Sequence, residues 1–253
     1  MISRKALLLI SIFLFFYYNT FGQDFFSDSI TTNKNIRYKH SALIIPTVLI
    51  GYGLIGIESD GLKNWNAEFK EEINEHIDER LTIDDYSQYV PSLAVYALEA
   101  FGVKGKNNLR DKTTILATSY LIMTTTVTSL KFAIDVRRPD NSSNNSFPSG
   151  HTATAFMGAE FIWQEYKDAS VWYGITGYMI AAGTGFFRMY NDRHWLTDVA
   201  AGAGIGILST KLAYWTNPYI SKKLFPNKNK QSTSILYPYY NGEQFGVSLA
   251  LTL

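Results

Sequence analysis

Between Lys131 and Asp198 the sequence places Lys131, Arg138 and Arg188, His151 and His194, Ser149 beside Gly150, and Asp198 in three short blocks. The first block is Lys131-Phe132-Ala133-Ile134-Asp135-Val136-Arg137-Arg138-Pro139 and the second is Phe147-Pro148-Ser149-Gly150-His151-Thr152. The third runs from Phe187-Arg188 through His194 to Asp198. An anionic tetrahedral group, that is, a phosphate, needs such a set. Arginine offers a rigid fork of donors to two phosphoryl oxygens, and lysine a mobile point charge.

Lys131 and Arg138 are seven apart, which on a helix puts them two turns from each other on one face. Pro139 disfavours a helical conformation for Arg138, so the spacing predicts a helix that ends about there. Pro148-Ser149-Gly150-His151 precedes an Ala/Thr/Phe/Met run and predicts the mouth of a new helix, whose free N–H groups attract an anion. Ser149 adds a hydroxyl donor there, Gly150 allows close approach, and His151 stands where a proton could pass to a leaving oxygen. With His194 in the first turn of a helix, Asp198 becomes its i+4 neighbour and can hold one ring nitrogen while the other faces phosphorus. This is the logic of an oriented nucleophile. Arg188 would close the pocket as the third cation.

Each block alone has a plain structural explanation: a solvated helix end, a cap, a local His–Asp pair. All three in order do not. The blocks resemble the signature of the type 2 phosphatidic acid phosphatase (PAP2) superfamily, which includes bacterial class A acid phosphatases and vanadium haloperoxidases. The resemblance spans roughly residues 86 to 215. It implies that Lys131, Arg138, Arg188, Ser149 and the backbone of Gly150 bind phosphate. It further implies that His151 is the general acid and that His194 forms a phosphohistidine while Asp198 holds it. Phe187 departs from the pattern, standing where the family usually has serine. The connection from Pro139 to Pro148 is short and leaves little room for a lid.

The elements that must position these blocks are apolar segments. The 253 residues, with formal charge +1 and 46% hydrophobic content, suit one medium domain with a large core and no nucleic-acid partner. The lack of cysteine excludes a disulfide scaffold and a thiol nucleophile. Residues 1–22 have the shape of a signal peptide or signal anchor, with Arg4 and Lys5 before the apolar run Ala6 to Tyr18. A helical domain over 23–231 follows, then a tail at 232–253 that reads as a β-hairpin around Asn241-Gly242.

Within the helical domain, Asp60 to Asp85 is amphipathic and acid-rich, and reads as packing. Lys104, Lys106, Arg110 and Lys112 form the most basic loop, which in a membrane-embedded protein the positive-inside bias assigns to the cytoplasm. Thr113–Ala133 then delivers Lys131 to the outer side, and the helical pair Thr152–Tyr166 and Val171–Phe187 returns Arg188 and His194 to it. With a cleaved signal, Ser41–Ile57 and Tyr89–Phe101 cannot both span, so the glycine-rich first segment is expected to lie flat or inside the bundle.

The expectation is an all-α, six-helix-type bundle, membrane-embedded in a bacterial-type cell envelope with its site facing the periplasm, or periplasmic and soluble. It would hydrolyse phosphate monoesters or pyrophosphates of membrane lipids: phosphatidate, phosphatidylglycerophosphate, undecaprenyl pyrophosphate or lipid A phosphate. No metal or other cofactor is expected, since His40 and His76 stand outside the blocks and no ligand set is apparent. The alternatives are a non-specific periplasmic acid phosphatase, or a haloperoxidase with vanadate as cofactor rather than inhibitor; a non-catalytic lipid-binding protein ranks last. The sequence names no protein partner.

Overall fold

The computed structural model describes residues 40–74, 82–226, 233–240 and 244–252. The signal segment expected at 1–22 lies outside them, as do His76 and the Asn241-Gly242 turn. After a 3-10 turn at His40–Leu43, eight α-helices follow among the described residues. They are α1 (Ile44–Glu58), α2 (Asp60–Asn74), α3 (Ile83–Ser87), α4 (Val90–Ala100), α5 (Leu109–Ala133), α6 (Gly150–Tyr166), α7 (Val171–Tyr190) and α8 (Leu196–Leu224). Two strands, β1 (Thr233–Tyr240) and β2 (Phe245–Thr252), come last.

Sequence chemistry at the ends sets these helices. Asn108 caps α5, accepting the Asp111 N–H at 2.9 Å, and Asp111 adds an acidic group to the first turn. The threonines and serines that interrupt α5's apolar pattern do not break it, because their hydroxyls bond back one turn. Thr113 donates to the Leu109 carbonyl at 2.9 Å, Ser119 to Ile115 at 2.8 Å and Thr126 to Ile122 at 2.8 Å. At 1.5 Å per residue, α5 is about 37 Å long, enough to run the length of the bundle.

Helix α6 is the axis of the fold. Most of its residues are buried, including the small Ala153, Ala155, Gly158 and Ala159, so its neighbours approach closely on every side. Phe161, Ile162 and Tyr166 pack with Val95, Ile115 and Ala213, while Ala153 and Met157 pack with Met123, Val127 and Ile205. Full burial of a side chain such as Phe161 stabilises the fold by about 2 kcal/mol relative to exposure.

Among the described residues the chain traverses the bundle six times. α1 arrives at the end where the three blocks meet, α4 leaves, α5 arrives, α6 leaves, α7 arrives and α8 leaves. The opposite end is pinned by Glu165, whose carbonyl accepts Lys106 N–H at 3.0 Å and whose carboxylate accepts the Asn107 amide at 2.6 Å. Lys112, expected in the basic loop, is instead fully buried one turn into α5 and paired with Glu99.

The first segment corrects the expectation that it lies flat or inside. α1 runs antiparallel along α8, with Gly53 and Gly56 against Ala201 and Thr197 and Pro46 against Gly204. Its other face leaves Ile44, Ile45, Val48, Leu54 and Ile55 exposed. Small residues on one side admit the close approach and large apolar ones on the other face away, so α1 is a peripheral traverse. By length and composition Ser41–Glu58 is apolar enough to cross a membrane, and Val90–Ala100 is a shorter apolar helix.

The body of the helical fold ends at Asn217, where Pro218 removes an N–H from the α8 ladder. The second unit, Pro218–Leu253, contains the antiparallel pairing of β1 with β2, in register from Thr233 opposite Thr252 to Tyr240 opposite Phe245.

Gly202 on α8 faces the start of α6, and a Cβ there would lie 2.4 Å from the Ser149 carbonyl oxygen. Backbone cannot yield as a side chain tip can, so Gly202→Ala is expected to destabilise the fold by about 1–3 kcal/mol. Gly183→Ala on α7, where a Cβ meets nothing within 4 Å, should be neutral or slightly stabilising. Thermal unfolding of both variants in the same detergent checks the contrast, and equal melting temperatures would refute it.

Candidate functional site

Backbone bonds draw the blocks to one end. α5 stops at Ala133, before Arg138, so Lys131 and Arg138 do not share a helix face as their spacing suggested. Ile134 is extended, and Val136 pairs with Asn145: Val136 N–H donates to Asn144 at 3.0 Å and Ser146 N–H returns to Val136 at 2.9 Å. β-Branched Ile134 and Val136 favour that extended path over a continued helix. Arg138 therefore sits on the loop, its N–H bonded to the Ser143 carbonyl at 2.9 Å, and Lys131 Nζ donates to the Asn145 carbonyl at 2.6 Å. Ser149 N–H donates to the Asp198 carbonyl at 3.0 Å, tying the second block to the third. His194 N–H donates to the Arg188 carbonyl at 3.2 Å, folding the third block back on itself.

His194 and Asp198 are both buried, the first just ahead of α8 and the second in its first turn. Asp198 Oδ2 lies 3.7 Å from His194 Nδ1. The same oxygen accepts the Ser146 hydroxyl at 2.5 Å and the Trp195 N–H at 2.9 Å, and Ser146 Oγ is 3.5 Å from His194 Nδ1. Ser146 and Asp198 thus engage the Nδ1 side of the ring and leave Nε2 for chemistry. Burial depresses the His194 pKa to about 4, Asp198 opposing and the charges of Arg188 and Lys131 adding to the fall. At neutral pH the ring is uncharged and carries a lone pair.

The cations form an under-neutralised cluster. Arg188 is buried in α7 and bonded to Asp84, with Asn191 Nδ2 donating to the other Asp84 oxygen at 3.0 Å. The Nε atoms of Arg138 and Arg188 are both buried without a hydrogen-bond partner. Burial and then the neighbouring charges of Arg188 and Arg193 disfavour the charged form of Arg138. Unpartnered buried donors are costly, so two such nitrogens mark a place where an acceptor is due. Ser149 caps α6 without a side-chain bond, its hydroxyl pairing with Thr152 Oγ1 at 2.8 Å instead, so the first N–H groups of α6 have no side-chain cap. Gly150 is the first residue of α6, where those N–H groups are free.

His151, in the first turn of α6, has Nε2 at 3.0 Å from Asp85 Oδ1. Burial and then the Arg188 charge lower its pKa, and Asp85 and Asp84 act against that. Phe187 supplies no hydroxyl, its ring packing edge-on at 5.9 Å from Phe186 and 5.8 Å from Tyr190. α2 flanks the loops: Asn66 Nδ2 donates to Thr197 Oγ1 at 3.0 Å, and Lys70 Nζ to the Pro139 carbonyl at 3.0 Å, with Asp192 3.5 Å away.

Sequence reasoning missed Asp84, Asp85, Asn191 and Ser146. The two aspartates sat in a stretch read as packing, and nothing local distinguishes them from a solvated acidic turn. Asp84, Asp85 and His151 are also the one group of ionisable ligands close enough to hold a metal among the described residues. Asp84 is already committed to Arg188 and Asn191, which leaves the set poorly suited to an ion.

Residues 112–222 match the PAP2 superfamily. The chain is 41% identical over 139 residues to the lipid A 1-phosphatase of Porphyromonas gingivalis, covering 54% of this chain and 31% of that protein. It is 30% identical over 106 residues to the bacitracin transport permease protein BcrC of Bacillus licheniformis, covering 37% of this chain and 50% of that one. It therefore spans about a third to a half of the length of these relatives. Among solved structures it resembles Aquifex aeolicus LpxE, with a TM-score of 0.47 and 24% identity over 60% of this chain and 95% of that one. It also resembles a PAP2-type phosphatidylglycerolphosphate phosphatase from Bacillus subtilis, with a TM-score of 0.45 and 19% identity over 70% of this chain and 97% of that one. All three blocks fall within the residues that match the PAP2 superfamily.

Proposed function

We propose that this protein is a metal-independent phosphatase that releases phosphate from a phosphorylated membrane lipid through a phosphohistidine. The observation that carries the reading is a buried His194, flanked on its Nδ1 side by Asp198 and Ser146, at the end of the bundle where Arg138 and Arg188 keep Nε atoms without an acceptor. His194 Nε2 attacks phosphorus as the bond to the leaving oxygen breaks, and that oxygen takes a proton from charged His151. Water then gives a proton to neutral His151 as its oxygen binds phosphorus and the bond to His194 breaks. Lys131, Arg138, Arg188 and the N–H groups at Gly150 stabilise the charge on the equatorial oxygens, and the Ser149 hydroxyl stands at the same helix mouth. Asp198 and Ser146 keep the ring of His194 oriented.

The lipid assignment rests on the similarity to a lipid A 1-phosphatase and on the exposed apolar faces of the traverses, such as Leu121, Trp172 and Met179. A lipid A phosphate is the first substrate to try, ahead of phosphatidate, phosphatidylglycerophosphate and undecaprenyl pyrophosphate. In this reading the helices lie in the inner membrane of a cell envelope and the site faces the periplasm, on the side opposite the Lys104–Arg110 loop.

The purified protein in detergent, given each of these lipids, is expected to release inorganic phosphate with EDTA present. Activity that disappears with EDTA and returns with a divalent ion would overturn the metal-independent route. His194 must be neutral and His151 charged in the free enzyme. kcat/KM should therefore rise with pH through about 4 and fall again on the acid side of neutrality, since His151 is held below its ordinary value.

A further inference from the structure

We infer that Asp85 is a positioning residue that orients His151 and keeps it charged for proton transfer, an assignment that rests on the phosphatase reading above. Neighbouring carboxylates on the short helix α3 divide their work. Asp84 is buried and spends both oxygens on Arg188 and Asn191, whereas Asp85 is half exposed and reaches His151 Nε2 at 3.0 Å. Its oxygen stands only 4.0 Å from the Arg188 guanidinium.

A carboxylate can only accept a hydrogen bond, so His151 Nε2 must carry the hydrogen. That leaves Nδ1 as the nitrogen that gives a proton to the leaving oxygen and later takes one from water. Asp85 keeps the Nε2 hydrogen through both halves of the reaction. It does for the acid what Asp198 and Ser146 do for the nucleophile: it engages one side of an imidazole so that the other acts.

The charge balance makes such a partner necessary. The charged groups that face His151 are Asp84 and Asp85 from α3 and Arg188 from α7. Arg188 repels a second positive charge, and Asp84 is largely neutralised by its own pair with Arg188. Asp85 is the group that hydrogen-bonds the ring itself, and that bond is the main contribution in favour of the imidazolium. Neither aspartate lies within residues 112–222, so the superfamily match by itself does not point to them.

The test uses the full-length protein in detergent with two substrates, a synthetic phosphatidate and p-nitrophenyl phosphate, and compares wild type, Asp85→Asn and Asp85→Glu. With phosphatidate, Asp85→Asn should lower kcat about tenfold with little change in KM and move the basic limb of the profile about one pH unit towards acid. Asp85→Glu should restore much of both. With p-nitrophenyl phosphate, whose leaving group needs no proton, the loss should shrink. In a His151→Ala background Asp85→Asn should cost nothing further.

An unmoved basic limb, or an equal loss with both substrates and in the His151→Ala background, overturns the role of Asp85 while leaving the phosphatase reading intact. A wild-type protein that releases no phosphate from these two substrates or from any lipid of the panel above overturns both. Asp85 is half exposed, so these variants are expected to fold, and unchanged thermal unfolding confirms that the comparison is of chemistry.

Discussion

His194→Ala is expected to lower phosphate release at least about a thousandfold, because the side chain removed is the one that bonds to phosphorus. The fold should survive. His194 ends the loop ahead of α8 and its backbone N–H, which is bonded to the Arg188 carbonyl, is untouched by the substitution. Ser146 and Asp198 would keep their own bond at 2.5 Å, so neither is left unpaired. Lost burial and a small void cost stability, but far less than a backbone rearrangement would. A second measurement separates this route from direct attack by water. Wild type given phosphate-labelled lipid and quenched in base should carry label on His194, while Asp198→Ala should accumulate less of it. Turnover by His194→Ala at the wild-type rate would end the covalent mechanism.

The legibility of the site followed the range of its interactions. Lys131, Arg138, Ser149, His151, Arg188, His194 and Asp198 stand in tight local groups, so residue type and spacing were enough to single them out as candidates. The parity of the traverses correctly brought the blocks to one end, because α5, α6, α7 and α8 are continuous helices of sufficient length. What the spacing could not supply were the partners distant in sequence. Arg188 is held by Asp84 across a separation of 104 residues, and His151 meets Asp85 across 66. Ser146 reaches Asp198 across 52. Such contacts are made by tertiary packing and leave no periodic trace. Two local readings failed for physical reasons of the same kind. Arg138 lies off the helix because the chain turns extended at Ile134 and Val136 bridges to Asn145, and Lys112 is internal because Glu99 on the preceding helix receives it.

Asp84→Ala is expected to damage the protein more than any substitution outside the motif blocks. Asp84 and Arg188 are both buried, and the aspartate is the partner of both Arg188 and Asn191. Removing one partner of a buried ion pair leaves an uncompensated charge and costs about 3–5 kcal/mol, a large part of the stability of a domain. The loss has a signature that distinguishes it from ordinary core damage. Arg188 already has an Nε without an acceptor, and in the variant its guanidinium would lose its carboxylate as well. A tetrahedral anion could then serve as the missing counter-charge, so inorganic phosphate should raise the melting temperature of Asp84→Ala more than that of wild type. Asp84→Asn keeps the shape and one acceptor and should fall between the two. Equal melting temperatures for wild type and Asp84→Ala, or a smaller phosphate effect in the variant, would mean that Arg188 does not face the anion. The cation cluster at this end of the bundle would then need another explanation.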